Sequence, residues 1–146
     1  MNPLKIERQL EILCTEPSIG GSILIPVSPG ELVDRLCISY LKTQRFSDPS
    51  KVQQARIEYK LLSRLYEQLL DNPKDVVPLF HQLRSVNEKL WDLENDIRRA
   101  ESRVGMASDI FALGRDISKT NDLRASLKRE INAHFGVVLR DEKEYR

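Results

Sequence analysis

The clearest hydrophobic pattern in the chain lies between Val77 and Glu101. Its apolar residues recur at steps of three and four, which places them along one side of an α-helix. They are Leu79, Leu83, Val86, Leu90, Leu93 and Ile97. A second row at the same spacing is mixed polar and aromatic, and consists of Phe80, Arg84, Asn87, Trp91, Glu94, Arg98 and Glu101. The pattern predicts one long helix with a core face and a polar shoulder.

Three further helices are predicted from apolar stripes and their end signals. Ser28, Pro29 and Glu31 form a capping-box start for a helix that runs to about Arg45. Asp48 and Pro49 start a second helix that runs to about Leu70, and Pro73 to Asp75 lead into the Val77–Glu101 helix, which ends around Arg103 to Gly105. The last helix is expected from Ile110 to Phe135, capped by Ser108 or Asp109 and stopped at Gly136.

These elements predict an all-α protein, an antiparallel bundle of about four long helices, because short connections favour antiparallel neighbours. We divide the chain into an N-terminal extension at 1–27, a helical bundle domain at 28–136 and a charged tail at 137–146. The extension is expected to hold a short amphipathic helix followed by an extended segment.

The charge balance argues against a general nucleic-acid binder. The 146 residues include 23 basic and 22 acidic side chains, for a formal net charge of +1. No apolar run approaches the roughly 20 residues that cross a bilayer, so no membrane span is predicted. Two distant cysteines, Cys14 and Cys37, favour a reducing cytoplasm, and no signal peptide is evident.

Charged residues interrupt the predicted core stripes. Arg124 falls at the centre of the last helix's stripe, with Asn121 and Lys128 on its shoulder. An unpaired charge in a dry interior is very costly, so such groups must pair, bind a ligand or reach solvent. We favour a polar layer in which Glu94 meets Arg124 and Asn121. The alternative is a cleft in which Arg124 and Lys128 receive an anion that Glu58 or Glu94 orients.

Trp91 lies beside the same polar row. The expected role is packing inside the bundle with its indole N–H bonded to a side chain. The alternative is a stacking platform for a base or a sugar ring.

Motif searches point to no metal site and no cofactor. His81 and His134 lack a partner at metal-ligand spacing, and Gly20-Gly21 lacks the phosphate-loop pattern. Carboxylates on different helices are in principle able to hold Mg²⁺, but helical nucleotide pyrophosphohydrolases carry Glu pairs three residues apart, a row this chain does not show. The carboxylates in question are Glu31, Asp34, Glu58 and Glu94.

Three segments in order resemble a family of small bacterial proteins known only as a domain of unknown function. They are ILIPVSPGELVDRLCISYLKTQRFSDPSK, LRSVNEKLWDLENDIRRAE and KTNDLRASLKREIN, so the resemblance covers Ile23 to about Asn132. It implies that the family pattern includes Glu31, Asp34, Lys42, Asn87, Trp91, Glu94, Arg98, Asn121, Asp122, Arg124, Lys128 and Asn132. The chain departs from the pattern at Ser118 and Lys119, where an aromatic residue is usual.

The sequence therefore predicts a cytoplasmic, non-enzymatic binding module for an anionic small molecule or a protein partner. Its candidate ligand-binding residues are Asn87, Trp91, Glu94, Arg98, Asn121, Arg124 and Lys128. One alternative is an enzyme on a phosphorylated or nucleotide-linked substrate, with Glu58 or Glu94 as general base and Arg124 for charge. A third is an assembly protein whose helices pair with another chain, including a homo-oligomer.

Overall fold

A computed structural model describes residues 7, 8, 11, 25–69, 72–102 and 107–136. These ranges hold helix α1 (Pro29–Arg45), helix α2 (Pro49–Leu69), a 3₁₀ turn (Pro73–Val76), helix α3 (Val77–Glu101) and helix α4 (Ala107–His134). The predicted all-α class is confirmed. Residues 7, 8 and 11 are helical and exposed. The remainder of the predicted extension before residue 25, and the tail at 137–146, lie outside the described residues.

Side-chain caps begin the first two helices, as the sequence predicts. The Glu31 backbone N–H donates to Ser28 Oγ at 3.3 Å, and Pro29 occupies the first turn of α1. The Ser50 backbone N–H donates to Asp48 Oδ1 at 2.8 Å at the start of α2. The second half of the predicted capping box is wrong, because the Glu31 carboxylate does not turn back to the helix start. It binds Arg35 and Lys128 instead.

The ends of α3 and α4 differ slightly from the sequence prediction. Helix α3 ends at Glu101, before the expected Arg103 to Gly105. Helix α4 already includes Ala107, so Ser108 and Asp109 lie inside its first turn and do not cap it. The negative charge of Asp109 in that turn still interacts favourably with the positive end of the helix dipole.

Two left-handed residues mark where helices cannot continue. Asn72, just before the 3₁₀ turn, has φ +49°. Gly136 has φ +62° and donates its N–H to the Ala133 carbonyl at 3.1 Å, so it terminates α4 as predicted. Asn and Gly are the residues that adopt this conformation most readily.

The core is built from three of the helices. Its buried side chains come from α1, α3 and α4, and are Val33, Cys37, Leu83, Val86, Leu90, Leu127 and Ile131. Helix α2 packs extensively against α1 alone within the described residues, and adds Tyr66 to the edge of the core. Tyr40 meets Tyr59 and Lys42 meets Glu58, so α1 and α2 run antiparallel.

Helix α1 covers only part of α3. Its C-terminal residue Arg45 binds Asp92, and the following Phe46 packs on Trp91. Beyond that level, the side chains Leu93 and Ile97 of α3 are only half-buried, and no third helix of the described ranges covers them beside α4. None of the described helices has the length and apolarity needed to cross a membrane.

Candidate functional site

A buried carboxylate, Asp34 on α1, is the centre of the polar contacts in the bundle. Its residue is 1% exposed. Its Oδ1 accepts hydrogen bonds from Asn87 Nδ2 of α3 and from Arg124 Nε of α4, each at 2.9 Å. Its Oδ2 accepts a bond from Arg124 Nη2 at 2.5 Å. One carboxylate therefore joins three helices.

The fork between Arg124 and Asp34 is the bidentate geometry in which guanidinium and carboxylate pair most strongly. This hydrogen bonding raises the pKa of Arg124 against the opposing effect of burial, and the charges of Glu31 and Glu94 add to the rise. The guanidinium is thus held in its charged form with its charge already balanced. Its side chain remains 29% exposed.

A second contact between α1 and α4 lies one turn away. Lys128 Nζ binds Glu31 Oε2 at 2.7 Å, and the Gly30 backbone N–H donates to Asn132 Oδ1 at 2.7 Å. Burial of Glu31 acts to raise its pKa, but the hydrogen bonds from Lys128 and Arg35 outweigh that effect and leave the pKa lowered. The first turn of α1 is therefore fixed on α4 by both backbone and side chain.

Gly30 permits this close approach. A Cβ at that position would lie 2.4 Å from the Lys128 carbonyl oxygen and 2.9 Å from Asn132 Oδ1. Real Cβ atoms do not come so near to backbone oxygen, so only glycine fits here without moving the helix. The PVSPGELVD segment therefore both starts α1 and forms its close contact with α4.

Of the sequence-predicted site residues, the structure brings three into these contacts. Asn87 and Arg124 meet at Asp34, and Lys128 lies one helical turn from Arg124. The remaining four lie elsewhere. Glu94 is exposed and pairs with exposed Arg98 at 3.7 Å, Asn121 is exposed, and Trp91 packs on Phe46 with ring centroids 5.9 Å apart.

The expected bond between Glu94 and Arg124 is therefore wrong, because Arg124 pairs with Asp34 and Glu94 pairs with Arg98. Glu94 is exposed, whereas Asp34 is buried where α1 meets both α3 and α4. Helical periodicity gives the direction in which a side chain points, but not which side chain of a neighbouring helix it meets. The buried carboxylate of Asp34 takes the guanidinium instead.

From the sequence, Asp34 was named among the carboxylates able in principle to hold Mg²⁺ but was not included in the candidate ligand-binding set. Its signal was a carboxylate on the same helix face as the apolar residues Ile38 and Leu41. Gly30 and Asn132 gave no signal from periodicity, because their role depends on which two helices touch.

The polar cluster of Asp34, Asn87 and Arg124 has little free binding capacity. Both cations expected to receive an anion, Arg124 and Lys128, already hold carboxylates. An incoming anion would have to displace them or bind at the outer edge of the guanidinium. The geometry thus matches the polar layer that the sequence favours, with a different carboxylate.

An open groove lies where α1 meets α2. Its volume is about 640 Å³. Its lining combines apolar, uncharged polar and charged side chains from both helices and the connection between them, namely Lys42, Phe46, Ser50, Lys51, Gln54, Ala55, Ile57, Glu58 and Leu61. The Lys42 ammonium lies 3.4 Å from Glu58, a loose pair with both side chains partly exposed. We call this feature the α1–α2 groove.

Residues considered for catalysis lack a reactive setting. Burial, with the nearby Asp34 charge, raises the pKa of Cys37 to about 12, so its thiol stays protonated. Glu58 and Glu94, the proposed general bases, form ion pairs with Lys42 and Arg98. In the described ranges, no three His, Cys, Asp or Glu side chains converge as metal ligands.

Comparison with known proteins adds no relative. No protein-family model, no curated protein and no solved structure matches the chain. The resemblance to a bacterial family of unknown function therefore stays a prediction.

Proposed function

We propose that this protein is a non-catalytic binding module, and that its ligand surface is the α1–α2 groove. One observation carries the proposal: the groove is an open cavity of about 640 Å³ with apolar side chains between charged ones. Binding sites are commonly concave and mostly apolar, with a few polar groups that orient the ligand. The groove is concave, and four of its nine lining residues are apolar.

The polar cluster has a supporting role in this proposal. It fixes α1 to α3 and α4 through Asp34, and the separate bond from Gly30 to Asn132 fixes the first turn of α1 to α4. The groove then has one wall that is anchored to the core and one wall, α2, that rests on α1. A rigid wall reduces the entropy cost of binding a ligand against it.

We also infer that the protein works in a reducing compartment such as the cytoplasm. Cys37 is a free, buried thiol. This inference is independent of the groove.

A small apolar carboxylate tests the groove directly. We expect 4-phenylbutyrate to shift the amide NMR signals of Ala55, Ile57 and Leu61. We also expect it to shift the indole signal of Trp91, because Trp91 contacts Phe46 in the groove wall. No shift at saturating probe, or shifts confined to other surfaces, would overturn the proposal.

A matched pair of variants locates the binding. Ile57→Glu places a charge in the groove, at a side chain 37% exposed, and should remove the shifts. Phe111→Glu makes the same kind of change at a side chain 78% exposed on α4 and should leave them unchanged. Equal loss in both variants would show that the probe binds without a defined site.

A second candidate function is an anion bound at the outer edge of Arg124. The fork to Asp34 uses Nε and Nη2, and the side chain keeps 29% exposure. The adjacent exposed Asn121, one turn earlier on α4, would add a hydrogen bond. Inorganic phosphate should then shift the Arg124 Nε–H signal and leave that of exposed Arg129 in place.

A further inference from the structure

We infer that the occupant of the α1–α2 groove is an acidic amphipathic helix from a partner protein. This inference rests on the proposed function and names the chemistry of its partner. It is carried by the charge of α2, by two lysines in the groove lining, and by an apolar row on α2 that α1 leaves partly uncovered.

Helix α2 has the highest net positive charge of the four helices. It carries four basic side chains, Lys51, Arg56, Lys60 and Arg64, and two acidic ones, Glu58 and Glu67. Helix α3, by contrast, has five acidic and four basic residues. A partner directed to α2 is therefore favoured by negative charge, which also accelerates encounter.

The groove lining is also net positive, because it holds two lysines and one carboxylate, Glu58. Lys42 projects from α1 and Lys51 from the first turn of α2, and both line the cavity. The Lys42 ammonium lies 3.4 Å from the Glu58 carboxylate, which is long for an ion pair. Lys51 forms no ion pair with a described residue. The pKa of nearby Asp48 is lowered mainly by hydrogen bonds from Ser50, and Lys51 adds a smaller effect. A partner carboxylate thus has one lysine available and a second in a weak pair.

The apolar part of the groove suits a helix with regularly spaced anchors. Ile57 and Leu61 line the groove, and Leu65, four residues after Leu61, continues the same row of α2 beyond it. Ile57 is exposed, and Leu61 and Leu65 are half-buried. A helix-in-groove complex uses such a row to receive side chains at i, i+3 or i+4 of the partner.

A charge-matched peptide pair tests the inference. The probe is a stapled helical peptide with leucines at i, i+4 and i+7 and glutamates on its flanks, and the control has lysines in place of the glutamates. Binding to the full chain is followed by the emission of Trp91, the only tryptophan, which contacts Phe46 of the groove. We expect the acidic peptide to bind at least about tenfold more tightly, with affinity that falls as salt rises.

Charge variants of the protein give the matched control. Lys51→Glu should weaken the acidic peptide about tenfold and strengthen the basic one. Lys119→Glu, at an exposed position on α4, should change neither. Equal affinity of both peptides, or equal effects of the two variants, would overturn the acidic partner. If phenylbutyrate binds and neither peptide does, the partner is wrong and the groove proposal stands.

Sedimentation and a disulfide test detect other occupants of the α1–α2 groove. Self-association in sedimentation that Ile57→Glu abolishes would assign the groove to a second copy of this chain and overturn the partner. An intramolecular disulfide between Cys14 and the thiol introduced by Ile57→Cys would assign it to the chain's own N-terminal segment. Monomeric protein without that disulfide, together with tight binding of the acidic peptide, would support the inference.

Discussion

At the scale of single residues, the buried carboxylate of Asp34 is the most consequential side chain. Exchange of this carboxylate for an amide replaces one acceptor oxygen by an N–H donor that faces Arg124 Nη2. Asp34→Asn should therefore lower the free energy of unfolding by about 3 kcal/mol, in the range found when one partner of a buried ion pair is lost. Urea unfolding measures the change.

The control for Asp34 is Asp92, which pairs with Arg45 at 3.1 Å on the exposed surface. Asp92→Asn should cost less than about 1 kcal/mol, because solvent screens an exposed pair. Similar losses in the two variants would show that burial of Asp34 adds nothing to its pair with Arg124.

Gly30 and Gly114 test the close approach of α1 to α4 with the same substitution. Both lie in helices, where alanine is intrinsically favoured over glycine by about 1 kcal/mol. Gly114→Ala meets nothing within 4 Å and should raise the melting temperature by a few degrees. Gly30→Ala would meet the Lys128 carbonyl at 2.4 Å and should destabilise by about 1–3 kcal/mol. A rise in both melting temperatures would show that α1 has room to move.

At the scale of elements, the helix ends were largely predictable and the helix contacts were not. Ser28, Asp48, Pro29 and Gly136 act locally, so their effect on helix boundaries follows from the sequence around them. The partner of Arg124 depends on which carboxylate of the neighbouring helices is brought to α4, which periodicity does not encode. For that reason Asp34 replaced Glu94 as its acceptor, while the inward direction of Arg124 was predicted correctly.

Helix α2 should be the first helix to open. Among the described residues it packs extensively against α1 alone, and its described side chains include a buried Ala55 but no large buried one. Local opening free energies are lowest where few apolar contacts hold an element. Hydrogen exchange should therefore show faster amide exchange along α2 than around Leu83 and Ile131, both fully buried. Equal protection in α2 and the core would contradict a three-helix core with α2 at its side.

At the scale of the whole molecule, the contact between α1 and α4 through Glu31 and Lys128 makes the stability of the fold depend on pH. Lys128 and Arg35 stabilise the charged form of Glu31 and lower its pKa below the ordinary value of 4.5, although burial alone would raise it. A carboxylate with a lowered pKa stabilises the folded state above its unfolded pKa. That stabilisation is lost as the pH falls through the lower, folded value.

This sign predicts how Glu31→Gln should behave. At neutral pH the variant should be less stable than wild type, because Lys128 loses its partner at 2.7 Å. The difference should shrink between about pH 5 and pH 3, since wild type then loses the same charge. Urea unfolding at a series of pH values measures it, with Glu130→Gln at an exposed position of α4 as the control. A difference that stayed constant over this range would show that Glu31 acts through its shape and not its charge, and the ion pair would then not be what holds the first turn of α1 on α4.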